Sequence, residues 1–266
     1  MYAKLIRHVS GSTPPFRGKQ RLINLLCPRD PSRQFEVFGF SMALDLRDGI
    51  QRDVFLERYE REETALVRRV LQPGMTVIDA GANIGYYTAL AASIVGVRGK
   101  VFAFEPSPYA YGRLAEWIKE NGVRQVSAFN MGLGDHDGTL DLYVPPESYG
   151  NHDPSVVEYC SGMNRITVPI RRLESVIEEF DLLCVDFMKV DVEGYEPMLL
   201  RGCERFLRSG KVRYLLCEFN DKLLSMAGSS SNELETYLVN LGFRVIEVKR
   251  SGSVFSNMLL AHSGRT

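Results

Sequence analysis

Apolar and polar positions change rhythm several times along this chain, and each change marks an element. Phe35 to Leu46 (FEVFGFSMALDL) is an apolar run interrupted at Gly39, which predicts a strand pair turning there. Asp53 to Leu71 (DVFLERYEREETALVRRVL) sets Leu56, Leu66, Val67, Val70 and Leu71 on one face of a helix that Gln72-Pro73-Gly74 closes. A regular alternation follows. TVIDA from Thr76 predicts a strand, Ile84–Val95 a helix, KVFAFEP from Lys100 a strand, Ser107–Gly122 a helix and QVSAFNMGL from Gln125 a strand. Strands alternating with helices are the signature of a parallel sheet covered on both faces.

The rhythm is then interrupted. TLDLYV from Thr139 and RITVPI from Arg165 are additional strands around a turn-rich loop, Pro145–Asn164. It resumes with helix Arg171–Phe180, a buried strand in LLCVDFMKVDVEG (Leu182–Gly194), a helix over Glu196–Gly210 and strand Val212–Asn220. Helix Asn232–Gly242 and two edge strands, FRVIEV from Phe243 and SNMLLAH from Ser256, complete the chain. Residues 1–34 are dominated by turn formers. The expected organisation is an N-terminal extension over residues 1–60, a lid or dimer arm, followed by an α/β domain over 61–266 with an inserted substrate loop at 145–164.

Composition narrows this picture. A 266-residue chain that is 45% hydrophobic can bury the core of one large α/β domain. Its 32 basic and 33 acidic residues leave a net charge of −1, which gives no reason to expect a nucleic-acid or membrane partner. Five cysteines lack zinc spacing, and an odd number argues against a disulfide scaffold. With no apolar run near the length of a membrane span, the expectation is a cytoplasmic protein, monomer or homodimer.

The candidate chemistry begins at the end of the most hydrophobic strand, in VIDAGANIGYYT (Val77–Thr88). A ligand in a doubly wound sheet binds beyond the carboxyl ends of the strands. Gly81 and Gly85 allow positive φ and close approach to the backbone there. The third glycine of a dinucleotide fingerprint would fall at Tyr86, and no Gly-Lys-Ser/Thr phosphate loop follows. Asp79 before the turn repels phosphate and suits a cationic group, while Glu105 at the end of the next strand suits the two hydroxyls of a ribose. A ribose and a cation without phosphate describe S-adenosylmethionine.

VIDAGANIGYYTALAA, VFAFEPSPYAYGRL, FNMGLGDHDG and FMKVDVEGYEPMLLRG, in this order, resemble the FkbM family of S-adenosylmethionine-dependent methyltransferases, over about Asp45 to Asn220. The resemblance implies a class I, Rossmann-like methyltransferase fold with a seven-stranded sheet ordered 3-2-1-4-5-7-6. It also implies methyl transfer to the hydroxyl of a sugar, glycolipid or secondary metabolite. Asp79, Gly81, Asn83 and Gly85 match the cofactor turn, with Tyr86 beside it. Glu105 matches the ribose acid, Ser107 lies just beyond, and Gly132 and Asp135 fall in the region that contacts adenine.

For the reaction, Asp191 at the end of its strand is the candidate base or hydroxyl orienter, with Glu193 and Lys189 near it. Glu196 is open to two readings, substrate contact or helix N-terminal acid. Glu218 is a second substrate candidate. Asp191, Glu218 and Asn220 together offer hard oxygen ligands for Mg²⁺. Tyr149 and His152, in the inserted loop, are candidates for gripping a glycan or small-molecule acceptor. A carboxylate or phosphate oxygen stays open as an alternative methyl acceptor, and three further rivals are weaker. An amino-directed nucleic-acid methyltransferase needs Asn/Asp-Pro-Pro-aromatic where this chain has DVEG, and a nicotinamide enzyme fails at Tyr86 and Asp79. A catalytically silent cofactor-binding scaffold is disfavoured by the presence of all the candidate acids.

Overall fold

The computed structural model describes residues 33–146, 154–251 and 255–265. Its centre is a seven-stranded sheet ordered β11-β12-β10-β9-β3-β4-β5. The parallel strands are β3 (Thr76–Ala80), β4 (Lys100–Phe104), β5 (Val126–Phe129), β9 (Val185–Val190) and β10 (Val212–Asn220). β12 (Phe255–His262) runs antiparallel between β10 and β11 (Phe243–Ser251). Numbered within the sheet alone this is 3-2-1-4-5-7-6, the order expected. Strand order reverses between β3 and β9, and their carboxyl ends open the crevice where such sheets take ligands.

Side-chain alternation explains the layers. Val77, Val101 and Phe187 point into one buried cluster with Leu90 and Leu114, while Ile78, Phe102 and Met188 point into another with Leu199 and Leu215. Both faces of these strands are apolar, so both need helices over them. α3 (Tyr86–Val95) and α4 (Pro108–Asn121) cover the first face, and α5 (Leu173–Glu179), α6 (Glu196–Arg201), α7 (Glu204–Arg208) and α9 (Ser231–Asn240) lie among the elements of the second. α8 (Asp221–Met226) follows β10. Among the described residues no helix is long and apolar enough to cross a membrane.

A hairpin, β1 (Arg33–Val37) and β2 (Phe40–Leu44), turns through Phe38 and Gly39, both at positive φ. It packs through Phe35 on Phe55 (ring centroids 4.6 Å) and through Phe40 on Trp117 (5.3 Å). A second small sheet, ordered β6-β8-β7, is built from β6 (Gly132–Gly134), β7 (Gly138–Val144) and β8 (Asn164–Arg172).

Four expectations need correction. The helix over 53–71 is two helices, α1 (Gly49–Phe55) and α2 (Arg61–Val70), broken at Glu57 (φ +56°) and Glu60 (φ +38°). The amides of Arg58 and Tyr59 both donate to the Asp53 carbonyl instead of continuing the helix. The strand over 125–133 divides into β5 and β6, which belong to different sheets. The helix over 196–210 is interrupted at Gly202, where a Cβ would stand 1.8 Å from the Gly134 carbonyl oxygen. Finally, β12 is an interior strand, not an edge.

Candidate active site

The β3–α3 turn and Glu105 form one unit. Gly81 (φ +83°), Asn83 (+49°) and Gly85 (+96°) carry the chain from strand to helix. Glu105 is nearly buried, its Oε2 accepting from the Asn83 amide (2.7 Å) and its Oε1 from the Ser107 amide (2.8 Å). Glu105, Gly81 and Asn83 all line a cavity at the carboxyl ends of β3, β4 and β9. The space the glycines leave belongs to the protein. A Cβ on Gly81 would lie 1.7 Å from the Asp191 carbonyl oxygen, and one on Gly85 would lie 2.7 Å from Leu114. Close packing and left-handed backbone therefore account for both glycines. Ser107 is buried as the N-cap of α4, accepting from the Ala110 amide, and does not reach the cavity.

Beneath this turn lies a buried group of charges. Asp79 pairs in register with Lys189 across β3 and β9 and shares its face, so its side chain turns under α3, where Oδ2 accepts from Thr88 Oγ1 (2.6 Å). Asp79 stands behind the cavity wall, not on it, and its Oδ1 is buried without a partner. Burial raises its pKa and nearby Lys189 opposes the rise. The Lys189 ammonium lies 2.7 Å from Asp191 Oδ2 and 4.6 Å from the centre of the Tyr87 ring. Burial alone would lower the lysine's pKa, but Asp191, Asp79 and Glu60 reverse the effect and raise it. Glu60 Oε2 accepts a 2.5 Å hydrogen bond from Tyr87 Oη. Burial raises the pKa of Glu60 and pushes that of Tyr87 well above its ordinary value.

Asp191 and Glu193 stand on the cavity wall beyond β9. Carboxylate oxygens of Asp191, Glu193 and Glu218 all lie within 4.8 Å of one another. Glu193 occupies left-handed backbone (φ +53°), an uncommon state for a residue with a side chain and one that concentrates at functional sites. Two neighbours hold it there. Glu196 Oε1 accepts from the amides on either side, Val192 (3.0 Å) and Gly194 (3.2 Å), and Ser155 Oγ donates to the Glu193 carbonyl (2.9 Å). Glu196 is fully buried and does not line the cavity, so the geometry removes it from the substrate candidates. Burial lifts its pKa to about 7. Burial, then Asp191 and Glu193, pushes Glu218 well above the usual range. Asn220 is buried as the N-cap of α8, its Oδ1 accepting from the Leu223 amide (3.3 Å).

Tyr86 and Gly132 reach the cavity, and Tyr86 Oη sits 2.9 Å from Thr64 Oγ1. Asp135 pairs with His136 (2.7 Å) away from the cavity wall. Tyr149 and His152 lie outside the described residues. Several wall residues carried no legible signal in the sequence. Tyr59 arrives through the helix break, Leu140 and Leu142 through β7, and Val156 through the insertion. Ser155 is buried by an isolated bridge to Tyr143.

The sheet order, the turn and Glu105 agree with a methyltransferase, and comparison decides the family. The Methyltransferase FkbM domain model matches residues 79–245. The chain belongs to the FkbM methyltransferase family. Methyltransferase 1 of Beauveria bassiana is 28% identical over 145 residues, 48% of this chain and 58% of the relative. Hexuronic acid methyltransferase AglP of Haloferax volcanii is 25% identical over 189 residues, covering 70% of this chain and 73% of AglP. This FkbM-family chain spans about three fifths of the length of the first curated relatives it matches. An FkbM methyltransferase structure from Methylobacillus flagellatus shares the fold at 15% identity and a TM-score of 0.50, over 83% of this chain and 56% of that one.

Proposed function

We propose that this chain is an S-adenosylmethionine-dependent O-methyltransferase acting on a hydroxyl of a sugar, glycolipid or secondary metabolite. The observation that carries the reading is the placement of Asp191, paired with Lys189, on the same cavity wall as Glu105 and the glycine turn. The residues fit the cofactor. Glu105 brings to the cavity a carboxylate of the kind that accepts ribose hydroxyls, Gly132 and Leu133 line the same cavity, and buried Asp79 stands behind its wall. When bound, S-adenosylmethionine supplies a methyl group whose bond to sulfur breaks with the electron pair remaining on sulfur. Asp191 accepts the proton of the acceptor hydroxyl as the new carbon–oxygen bond forms. Holding the oxygen in line with the methyl group supplies much of the acceleration, because the leaving group is already good.

Mg²⁺ is disfavoured by the donor set. Asp191 already faces an ammonium, Glu218 has its carboxyl pushed toward the neutral form by burial, and Asn220 serves as a helix cap. No step is assigned to a metal, and activity should survive EDTA. Calorimetric titration with S-adenosylmethionine tests the cofactor reading. Glu105→Ala should weaken binding at least tenfold, about 1.4 kcal/mol, whereas Asp191→Asn should bind the cofactor and lose turnover. Unchanged affinity in Glu105→Ala overturns the ribose assignment. Cofactor binding by the wild type with no turnover on any acceptor would favour the scaffold reading.

A further inference from the structure

The wall beyond the glycine turn bears on which oxygen can be methylated. Asp191 and Glu193 stand on that wall; Glu218, which does not line the cavity, lies beside them, one carboxylate oxygen of each within 4.8 Å of the others. Among the described residues lining the cavity, Lys189 is the one basic side chain, and it is held 2.7 Å from Asp191 with Asp79 and Glu60 also acting on it. Ionised carboxylates accept hydrogen bonds and donate none. A hydroxyl entering beside Asp191 and Glu193 meets acceptors that match its proton. An incoming carboxylate or phosphate meets like charge and finds the lysine already committed.

The rest of the wall has a different character. Tyr59, Leu140, Leu142 and Val156 line the cavity with aromatic and aliphatic surface. One side of the site therefore takes hydrogen-bond donors and the other takes an apolar face. A pyranose or similar polyol presents both, with hydroxyls around its rim and C–H groups on its faces.

We propose that the acceptor is an uncharged polyol, bound through its hydroxyls to Asp191 and Glu193 and through an apolar face to the Tyr59–Val156 side, and that acceptors bearing a carboxylate or phosphate are excluded by charge. This rests on the methyltransferase reading above and sharpens it. It sets the chain apart from its AglP relative, which is named for a hexuronic acid. The acceptor oxygen bonds to the methyl carbon, the carbon–sulfur bond breaks with its electron pair going to sulfur, and the hydroxyl proton passes to Asp191. Like-charge juxtaposition suppresses wrong partners, and specificity is built from such repulsion as well as from favourable contacts.

The test uses a matched pair of probes, p-nitrophenyl β-glucopyranoside and p-nitrophenyl β-glucuronide, which differ at one carbon. The full chain is incubated with S-adenosylmethionine at neutral pH, and S-adenosylhomocysteine formation is followed by mass spectrometry. The glucoside should turn over at least tenfold faster than the glucuronide, about 1.4 kcal/mol. Two variants test the cause. Glu193→Gln should narrow the ratio, and Val156→Arg, which adds a cation at a half-buried wall position, should raise glucuronide turnover relative to glucoside. Equal or faster glucuronide turnover in the wild type overturns the proposal, as does a ratio that neither variant moves. Turnover of neither probe by protein that binds S-adenosylmethionine in the calorimeter also overturns it and leaves the methyltransferase reading standing. Absence of cofactor binding sinks that reading, and this proposal with it.

Discussion

Glu196→Gln should make the protein more stable at alkaline pH without loosening the loop that Glu196 holds. Glu196 is fully buried, its Oε1 accepts two backbone amides and its Oε2 is buried without a partner. Burial lifts its pKa from 4.5 to about 7. The folded state therefore keeps a proton that the unfolded chain releases, and stability falls as pH rises from about 4.5 to about 7. At about 1.4 kcal/mol for each tenfold, the whole effect is about 3 kcal/mol, of which about 2 kcal/mol develops between about pH 5.5 and about pH 8. Glutamine retains a carbonyl oxygen for the Val192 and Gly194 amides and has nothing to ionise. Asp79, Glu60 and Glu218 also have raised pKa values, so the informative quantity is the difference between variant and wild type. Urea unfolding of both proteins at the two ends of that range measures it. The difference should move in favour of the variant by about 2 kcal/mol from the acidic to the alkaline end. Stability profiles that run parallel in pH would refute the reasoning, because Glu196 would then titrate alike in the folded and unfolded states.

Two further substitutions probe the packing around the site. Gly81→Ala places a Cβ 1.7 Å from the Asp191 carbonyl oxygen in left-handed backbone, whereas Gly74→Ala has the same backbone hand and nothing within 4 Å. Gly81→Ala should cost about 3 kcal/mol and Gly74→Ala about 1 kcal/mol; equal losses in thermal melts would show that the strand approach yields. Lys189→Met leaves Asp79, Asp191 and Glu60 without their shared cation. It should lose about 3–5 kcal/mol at alkaline pH. Part of that should return on acidification, because acids with raised pKa values make the folded state bind more protons than the unfolded state. A loss that does not change with pH, followed by circular dichroism, would count against this account.

Much of the fold was legible in the chain because strand burial on both faces and the intervening helices are local patterns. Ile78, Phe102 and Met188 announce central strands, and Gly122 announces the end of α4 at φ +59°. The breaks inside apparent helices were not legible. Residues 53–71 have a continuous helical pattern, yet the Asp53 carbonyl gathers two amides and the chain turns so that Tyr59 reaches the cavity and Glu60 reaches Tyr87. Gly202 looks like an ordinary helical residue until β6 is placed against it.

The site divides along the same line. Sequence alone determined the order of the elements, the β3–α3 turn, the acids at the strand ends and the family resemblance, since each is written in neighbouring residues. Only the tertiary structure decided what those acids face. Asp79 and Lys189 share one face because β3 and β9, 110 residues apart at Asp79 and Lys189, pair in register. The same packing turns Asp79 under α3 and commits Lys189 to Asp191, and it buries Glu196 as a loop anchor. A residue's type sets which charges and hydrogen bonds it can offer. Burial and distant neighbours, which no local pattern records, set where those are used.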